Sequence, residues 1–395
     1  MSVYGGRSRC MTIHLAWVNL TNGGMSGGYH KYLQRIVPRL ANDARVKRID
    51  MFSPAGIARM TVVDGLASHT GWPDAAKWRG FGEAKQAIAR LSPDVVFIPT
   101  ARWLDTEGLP TVVMVRNMEP LVRQEAGNPF PERGVNLARM VAAKRACARA
   151  NRVIAVSDFV KSFLEKEWSI PGSKVARVYH GVDERDAASQ LTKPKVLEHA
   201  GSPDFLFVAG SIRPMRGIED AIRALQALKD DFPALVLVIA GAIEGRVNAW
   251  AAHLRRVAEA AGVSGRVIWG GKFSPTEMAW CFRHCRAFAM TSRVEACPNI
   301  ALEAMSAGAP IISSANAPMP EFFRQAACYY AAGDAAQLAD RAREMLVLSR
   351  QELAARVDAG LARARDFRWD DCANRTLIEL SHVAQEPRIG LSRPA

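Results

Sequence analysis

Several things are scarce in this 395-residue chain, and each scarcity removes a class of function. Cysteine is present only as seven scattered residues, Cys10, Cys147, Cys281, Cys285, Cys297, Cys328 and Cys372. An odd, dispersed set is a poor disulfide framework and fits reduced thiols in a cytosolic compartment. The one cluster, "CFRHC" from Cys281 to Cys285 with His284, falls on an amphipathic helical pattern with no second pair at ligand spacing, so it reads as core rather than as a metal site. No run approaches the ~20 apolar residues that span a bilayer. The first ten residues carry two arginines and no apolar stretch, unlike a secretory signal. The chain is therefore expected to be soluble or attached only to a membrane surface. Short-period repeats and low-complexity tracts are also missing.

Acidic residues are in deficit as well. Thirty-nine Asp and Glu against 52 Lys and Arg leave a formal charge of +13. That balance suits an acidic partner: nucleic acid, anionic lipid or a phosphorylated substrate. Aromatics are not interleaved with the basic residues on any recognisable module, which argues against nucleic acid. Two segments, "YHKYLQRIVPRLANDARVKR" and "ERGVNLARMVAAKRACARANR", place Lys and Arg on amphipathic helices in the amino-terminal half. Such a face reads either as a contact with an anionic membrane or as a solvated helix surface.

What is present is an alternation. "MTIHLAWVNL" is a strand-length apolar run, "TNGGMSGG" a glycine loop, and "YHKYLQRIVPRLAN" has helical spacing. Further strands are read at "VKRIDMFS", "DVVFIPT", "TVVMVRN", "RVIAVS" and "VARVYHGV", with helices such as "NLARMVAAKRACARA" between them. The polar stretch "DERDAASQLTKPKVLEHAGSP" breaks the pattern, and the alternation then restarts at "DFLFVAG" and runs through "ALVLVIAG", "RVIWGG", "AFAMTS" and "APIISS". Strands alternating with helices imply parallel sheets, so the chain reads as two doubly wound α/β units, with ligands expected in the cleft at the carboxyl ends of the strands. The divisions are 1–187, a linker at 188–203, 204–366, a carboxyl-terminal helix at 367–384 packing back on the first domain, and a tail at 385–395.

The stretch "SRVEACPNIALEAMSAGAPIISS" carries the chemistry. "AFAMTS" before it is a strand, Pro298 suits a first helical residue, and Gly308 suits a helix stop. Glu295 then lies on a loop and Glu303 between one and two turns into the helix. Free N–H groups from Asn299 to Ala301 attract an anion, while carboxylates beside them suit hydroxyl groups, since a carboxylate accepts two hydrogen bonds from a vicinal diol. A ligand with hydroxyls on both sides of a diphosphate is a nucleotide sugar. The glycine loop lacks the Lys-Ser or Lys-Thr of a P-loop, and no G-x-G-x-x-G follows a strand, so a Rossmann oxidoreductase is poorly supported.

Glu295 and Glu303 with seven residues between them, followed by "EAMSAGAPIISS" and then Pro320-Glu321, resemble the nucleotide-sugar site of the retaining glycosyltransferases of family 4, group 1, which have the GT-B fold. "GGMSGGYHKYL", "VIAVSDFVKSFL", "VYHGVD" and "VAGSIRPMRGIEDAIRAL" extend the resemblance over nearly the whole chain. The resemblance implies that Glu295 contacts the donor sugar and Glu303 the ribose, and that the backbone of Pro298, Asn299, Ile300, Ala301 and Leu302 holds the diphosphate and ribose. Arg216 stands where the family has a phosphate-binding lysine. Ser211 replaces the arginine that usually follows Gly210, and Arg213 is the substitute expected for its charge. Gly27 and Gly28 allow the amino-terminal domain to approach the ligand. The family's histidine after the "TVVMV" strand is absent. Arg116 and Asn117 stand there, and Asn117 reads equally as a sugar or acceptor ligand and as a local turn cap. His180 reads as structural ahead of functional, and Asp183 as a turn or hinge residue.

No Asp-x-Asp occurs, so neither metal nor other cofactor is expected. The expected reaction is transfer of a sugar from a nucleoside diphosphate sugar to a glycan or lipid-linked acceptor with retention of configuration, in bacterial lipopolysaccharide or surface polysaccharide assembly, cytoplasmic or peripheral at the inner membrane face. The catalytic set expected is Glu295, Arg216 and Asn117. Two other classes are compatible with the same architecture: a GT-B epimerase or phosphorylase, and a non-catalytic sugar-nucleotide-binding protein.

Overall fold

The computed structural model describes residues 12–21, 27–54, 67–72, 79–122, 130–183, 191–198, 204–242 and 248–386. The first sheet has seven strands: β1 (Ile13–Val18), β2 (Val46–Pro54), β3 (Ser68–Trp72), β4 (Val95–Ile98), β5 (Thr111–Val115), β6 (Arg152–Ala155) and β7 (Val175–Arg177). Their spatial order is β3-β2-β1-β4-β5-β6-β7, all parallel. The second has six: β8 (Phe205–Ala209), β9 (Val236–Ala240), β10 (Val267–Gly271), β11 (Ala287–Met290), β12 (Ile311–Ser314) and β13 (Ala327–Tyr330). Their order is β10-β9-β8-β11-β12-β13, again all parallel. The two orders are the same apart from β7. Each reverses direction beside its first strand, at β1/β4 and at β8/β11, and a doubly wound sheet opens its ligand crevice at that point.

Helices cover both faces, so central strands such as "TVVMV" and "AFAM" are buried at every position and read as unbroken apolar runs. β3 and β13, with the sequences "SHTGW" and "ACYY", lie at sheet edges, carry no such run, and are strands that the apolar pattern misses. The helix Arg350–Ala364 is likewise unexpected. Few of its residues are buried, and its clearest local signal is a capping box between Ser349 and Glu352.

The helix Trp369–Ala384 buries Trp369, Cys372, Leu377, Leu380 and Val383 in the same apolar core as the first sheet. The chain thus crosses between the sheets twice, and the crossings touch: Val182 N donates to Phe367 O at 3.0 Å. A Cβ on Gly181 would stand 2.3 Å from Trp369 N and 2.7 Å from Arg368 C, so only glycine fits. Of the polar stretch between the sheets, residues 184–190 and 199–203 lie outside the described residues. Within it, Lys195–Glu198 forms one helical turn that buries Leu197. The tail from 387 onward is also outside.

Candidate functional site

The site forms where the β8/β11 switch point meets the start of the glycine-loop helix. After β8 the backbone turns at Gly210, whose φ of +125° lies in the left-handed half of the map, and a Cβ there would press on the Arg216 side chain at 3.2 Å. The short helical turn Pro214–Arg216 follows. It is stitched to the loop after β11: Arg293 N donates to Met215 O at 2.8 Å, and Thr291 Oγ1 to Arg216 O at 2.5 Å. Arg216 Nη1 donates to Ser292 Oγ at 3.1 Å and directly to Glu295. Arg293 pairs with the buried Asp220 at 3.1 Å, and Asp220 also accepts from Gly333 N at 2.9 Å, which anchors the loop from below. Burial pushes the Asp220 carboxyl above its usual range.

The helix Asn299–Ser306 starts one residue later than expected. Pro298 is the residue before it, with ψ of 94°, and its carbonyl accepts from Ala301 N at 2.9 Å and Leu302 N at 3.3 Å. Those two N–H groups are therefore engaged inside the helix. The anion-attracting donors are the first-turn N–H groups of Asn299 and Ile300, which no carbonyl of the helix can reach. Gly308, at φ +75°, ends the element as expected.

Gly27 and Gly28 open the helix Gly27–Ala41. The Gly28 carbonyl lies 3.5 Å from Asn299 Nδ2, and a Cβ on Gly28 would come within 2.9 Å of that nitrogen. One turn on, Lys31 Nζ lies 2.8 Å from Glu303 Oε1 and 3.4 Å from Asp183, while Arg35 pairs with Asp183 at 2.8 Å. Burial raises the Asp183 carboxyl, but Lys31 and Arg35 more than offset it and hold it below its usual range. Asp183 is thus an ion-pair partner at the domain junction. Lys31 was not anticipated, though its spacing of three from Gly28 puts it on the same helix face.

His180 lies behind this contact. It is buried, Nδ1 is 3.2 Å from Asn299 Oδ1, and Nε2 has no partner among the described residues. Its ring sits 5.0 Å from that of Tyr32 and 6.1 Å from Trp369. Burial, only partly offset by Asn299, drives its pKa down to about 4. The ring is neutral at pH 7 and links the chain crossing to the first residue of the anion-attracting helix.

The remaining expected residues are placed differently. Asn117 is exposed, and its Oδ1 accepts from Glu119 N at 3.1 Å, which is the local turn cap. Arg213 reaches Glu119 at 3.5 Å, so this arginine ties the two domains together while Arg216 alone meets Glu295. Arg116 donates to Pro99 O at 2.9 Å and stacks 3.7 Å from the Tyr29 ring centroid. Glu321 of the Pro-Glu pair is also an interdomain residue: its carboxylate accepts from Asp158 N at 2.6 Å and Phe159 N at 3.0 Å, the first N–H groups of the helix Asp158–Lys166, and from Tyr179 Oη at 2.7 Å. Cys281 and Cys285 are buried, and burial raises both thiols. His284 stacks on Trp280 at 4.2 Å and bonds to its carbonyl.

Comparison with known proteins bears on the family and the fold. The sequence model of Glycosyltransferase Family 4 matches residues 27–186, and that of Glycosyl transferases group 1 matches 189–359. A D-inositol 3-phosphate glycosyltransferase of Streptomyces scabiei is 23% identical over 94% of this chain and 90% of its own. Among solved structures, Anabaena HepE in complex with UDP-glucose superposes with a TM-score of 0.75 at 16% identity, covering 94% of this chain and 100% of that one. WaaG, a glycosyltransferase involved in lipopolysaccharide biosynthesis, superposes at 0.71 and 16%, covering 93% and 99%. At such identities the superpositions establish the shared two-domain architecture.

Proposed function

The chain belongs to the group 1 glycosyltransferases, with an amino-terminal half of glycosyltransferase family 4, and from that premise we propose that it transfers a sugar from a nucleoside diphosphate sugar to a glycan or lipid-linked acceptor with retention of configuration. The observation that carries the site assignment is the contact of Arg216 with Glu295 beside the free first-turn N–H groups of Asn299 and Ile300. A cation and a helix start face the diphosphate, and a carboxylate next to them faces the sugar.

In the reaction the anomeric C–O bond to the diphosphate breaks, the leaving oxygen takes the electron pair, and the acceptor oxygen bonds to the anomeric carbon as its proton is released. The guanidinium of Arg216 and the N–H groups of Asn299 and Ile300 stabilise the charge that grows on the diphosphate. Fixed positive groups serve this purpose without a metal. Glu295 accepts hydrogen bonds from sugar hydroxyls and orients the ring, while Glu303 holds the ribose diol. Gly28 lets the amino-terminal domain close against the same helix start. Retention rests on the resemblance of the Glu295 and Glu303 spacing to the family pattern. The setting that suits the basic excess and the WaaG-like architecture is surface polysaccharide or lipopolysaccharide assembly at the anionic inner face of the cytoplasmic membrane.

The test is a thermal-shift panel of nucleoside diphosphates and their sugars, followed by transfer assays with the stabilising donor. Stabilisation by one nucleotide sugar with transfer that Glu295→Ala abolishes supports the reading. Product from donor alone, or only with inorganic phosphate, overturns it.

A further inference from the structure

Two arginines of the amino-terminal domain, Arg102 in the turn after β4 and Arg116 directly after β5, have no carboxylate partner among the described residues. Backbone carbonyls hold them in place. Arg116 Nε donates to Pro99 O at 2.9 Å, Arg102 Nη1 donates to Leu20 O, and Arg102 N donates to Thr100 O at 2.8 Å. Both guanidinium groups therefore sit against the turn from Pro99 to Arg102, with most of their N–H donors left over. Burial lowers both pKa values, and the charge of Arg102 adds to the fall at Arg116. An arginine stays protonated at pH 7 all the same.

Their place in the sheet is one where a ligand is expected. β1, β4 and β5 are neighbours, and the order of the first sheet reverses between β1 and β4. Asn19 after β1 and Thr100 after β4 are buried, and Asn19 Nδ2 and Thr100 Oγ1 have no hydrogen-bond partner among the described residues. Buried polar atoms are nearly always satisfied, so atoms left over at a switch point mark a ligand crevice. The donor site uses the matching point of the second sheet, β8/β11. Arg116 stacks on Tyr29, which follows Gly28, so the crevice adjoins the helix whose Gly28 and Lys31 face Asn299 and Glu303.

Charge decides the class of ligand. The residues just past these strand ends, 19–21, 99–102 and 116–118, include Arg102 and Arg116 and no acid. The first carboxylate after β5, Glu119, reaches Arg213 of the other domain. A site built for sugar hydroxyls alone would carry a carboxylate, as the donor side does in Glu295. Neighbouring guanidinium groups without a counter-charge repel each other, and an anion between them removes that repulsion and accepts their hydrogen bonds.

We propose that the crevice at β1/β4 binds an acceptor that carries an anionic group, a phosphate or a carboxylate, held by Arg102 and Arg116 near the hydroxyl that receives the sugar. The inference rests on the glycosyl-transfer reading above and narrows its acceptor.

The full chain, with and without saturating nucleoside diphosphate, is to be melted in potassium phosphate against potassium chloride of equal ionic strength, and in glucose 6-phosphate and glucuronate against glucose. A saturable rise in melting temperature is expected with phosphate and with at least one charged sugar, and none with glucose. The rise is expected to persist when nucleotide fills the donor site. In Arg102→Gln and Arg116→Gln it is expected to need about tenfold or more higher concentration, while the rise given by nucleoside diphosphate is unchanged. Arg216→Ala is expected to show the reverse pattern. Phenylglyoxal labelling mapped by mass spectrometry needs no variant: phosphate is expected to shield Arg102 and Arg116 in nucleotide-saturated wild-type protein. The proposal is overturned if phosphate gives neither rise nor shielding, if neither charged sugar exceeds glucose, or if the glutamine variants respond like wild type. Loss of the nucleotide rise in those variants also overturns it, since the arginines would then belong to the donor diphosphate. A nucleotide rise without a phosphate rise sinks the proposal alone, and a phosphate rise without a nucleotide rise sinks the donor reading alone.

Discussion

Lys31 Nζ, one turn into the helix after the glycine loop, stands 2.8 Å from Glu303 Oε1 on the facing domain. The carboxylate proposed for the ribose is therefore paired and oriented by a cation of the facing domain. It can accept a diol without the repulsion that an unpaired carboxylate near a diphosphate would cause. Glu303→Gln keeps the shape and removes the charge. It is expected to weaken nucleoside diphosphate binding by about tenfold or more, the size of a charged hydrogen bond of roughly 1.5–3 kcal/mol. Titration calorimetry with the free nucleotide measures it, and equal affinity would remove Glu303 from the ribose site.

Arg216 and Glu295 bond to each other in the same cleft, so the two variants are expected to diverge. Arg216→Ala removes the diphosphate cation and should weaken nucleotide binding by about tenfold to a hundredfold. Glu295→Ala frees that cation and should leave nucleotide affinity equal or tighter while abolishing transfer. Parallel loss of binding in both would mean the pair is structural.

His180 gives a pH dependence whose sign is set by its burial. Its folded pKa of about 4 lies below the unfolded value near 6.5, so above pH 6.5 both states are neutral and nothing changes. As the pH falls from 6.5 toward 4, the unfolded chain takes up the proton and the folded one does not, and stability is lost at up to about 1.4 kcal/mol per pH unit. His180→Asn is expected to show a smaller fall in melting temperature between pH 7 and pH 5 than wild type. An identical fall would mean the imidazole is not neutral in the folded state. The same variant removes the contact with Asn299, so its Michaelis constant for donor is expected to rise more than its kcat falls.

Glu321 ties the domains through the N-terminus of the helix Asp158–Lys166. Replacing it with Ala leaves two N–H groups without their acceptor and Tyr179 Oη with Asp158 Oδ2 alone, at a cost of roughly 2–3 kcal/mol. Denaturant titration should show an earlier midpoint for Glu321→Ala and only a partial shift for Glu321→Gln, whose amide oxygen still accepts. No shift in either would deny the cap a part in stability.

Gly181 sits where the two chain crossings touch. Gly181→Ala is expected to destabilise by several kcal/mol, because the added carbon meets backbone rather than a movable side chain. Gly28→Ala meets only the tip of Asn299 and is expected to be mild in stability, with its effect on donor binding. Melting curves of the two variants side by side check the contrast.

Much of this protein was determined by sequence alone, since apolar runs and helical spacing are local signals that survive without knowledge of neighbours. The central strands, the restart of the alternation after residue 203, the loop that carries Glu295 and the helix that carries Glu303 were all legible in that way. The edge strands β3 and β13 were not, because "SHTGW" and "ACYY" hold no aliphatic β-branched residue, whereas the edges β7 and β10 keep valine and isoleucine and were read. Nor could sequence say which charges would meet. Arg213 and Arg216 stand three residues apart and look alike, yet one turns to Glu119 across the cleft and the other to Glu295, a choice made by the fold of the Gly210–Gly217 loop. The same holds for the basic helices. Composition made them equivalent, and the packing of one against Asp183, Glu303 and Asp370 paired its cations, whereas Lys144 and Arg145 of the other have no ion-pair partner among the described residues, because an ion pair depends on distance in space and the sequence records only distance along the chain.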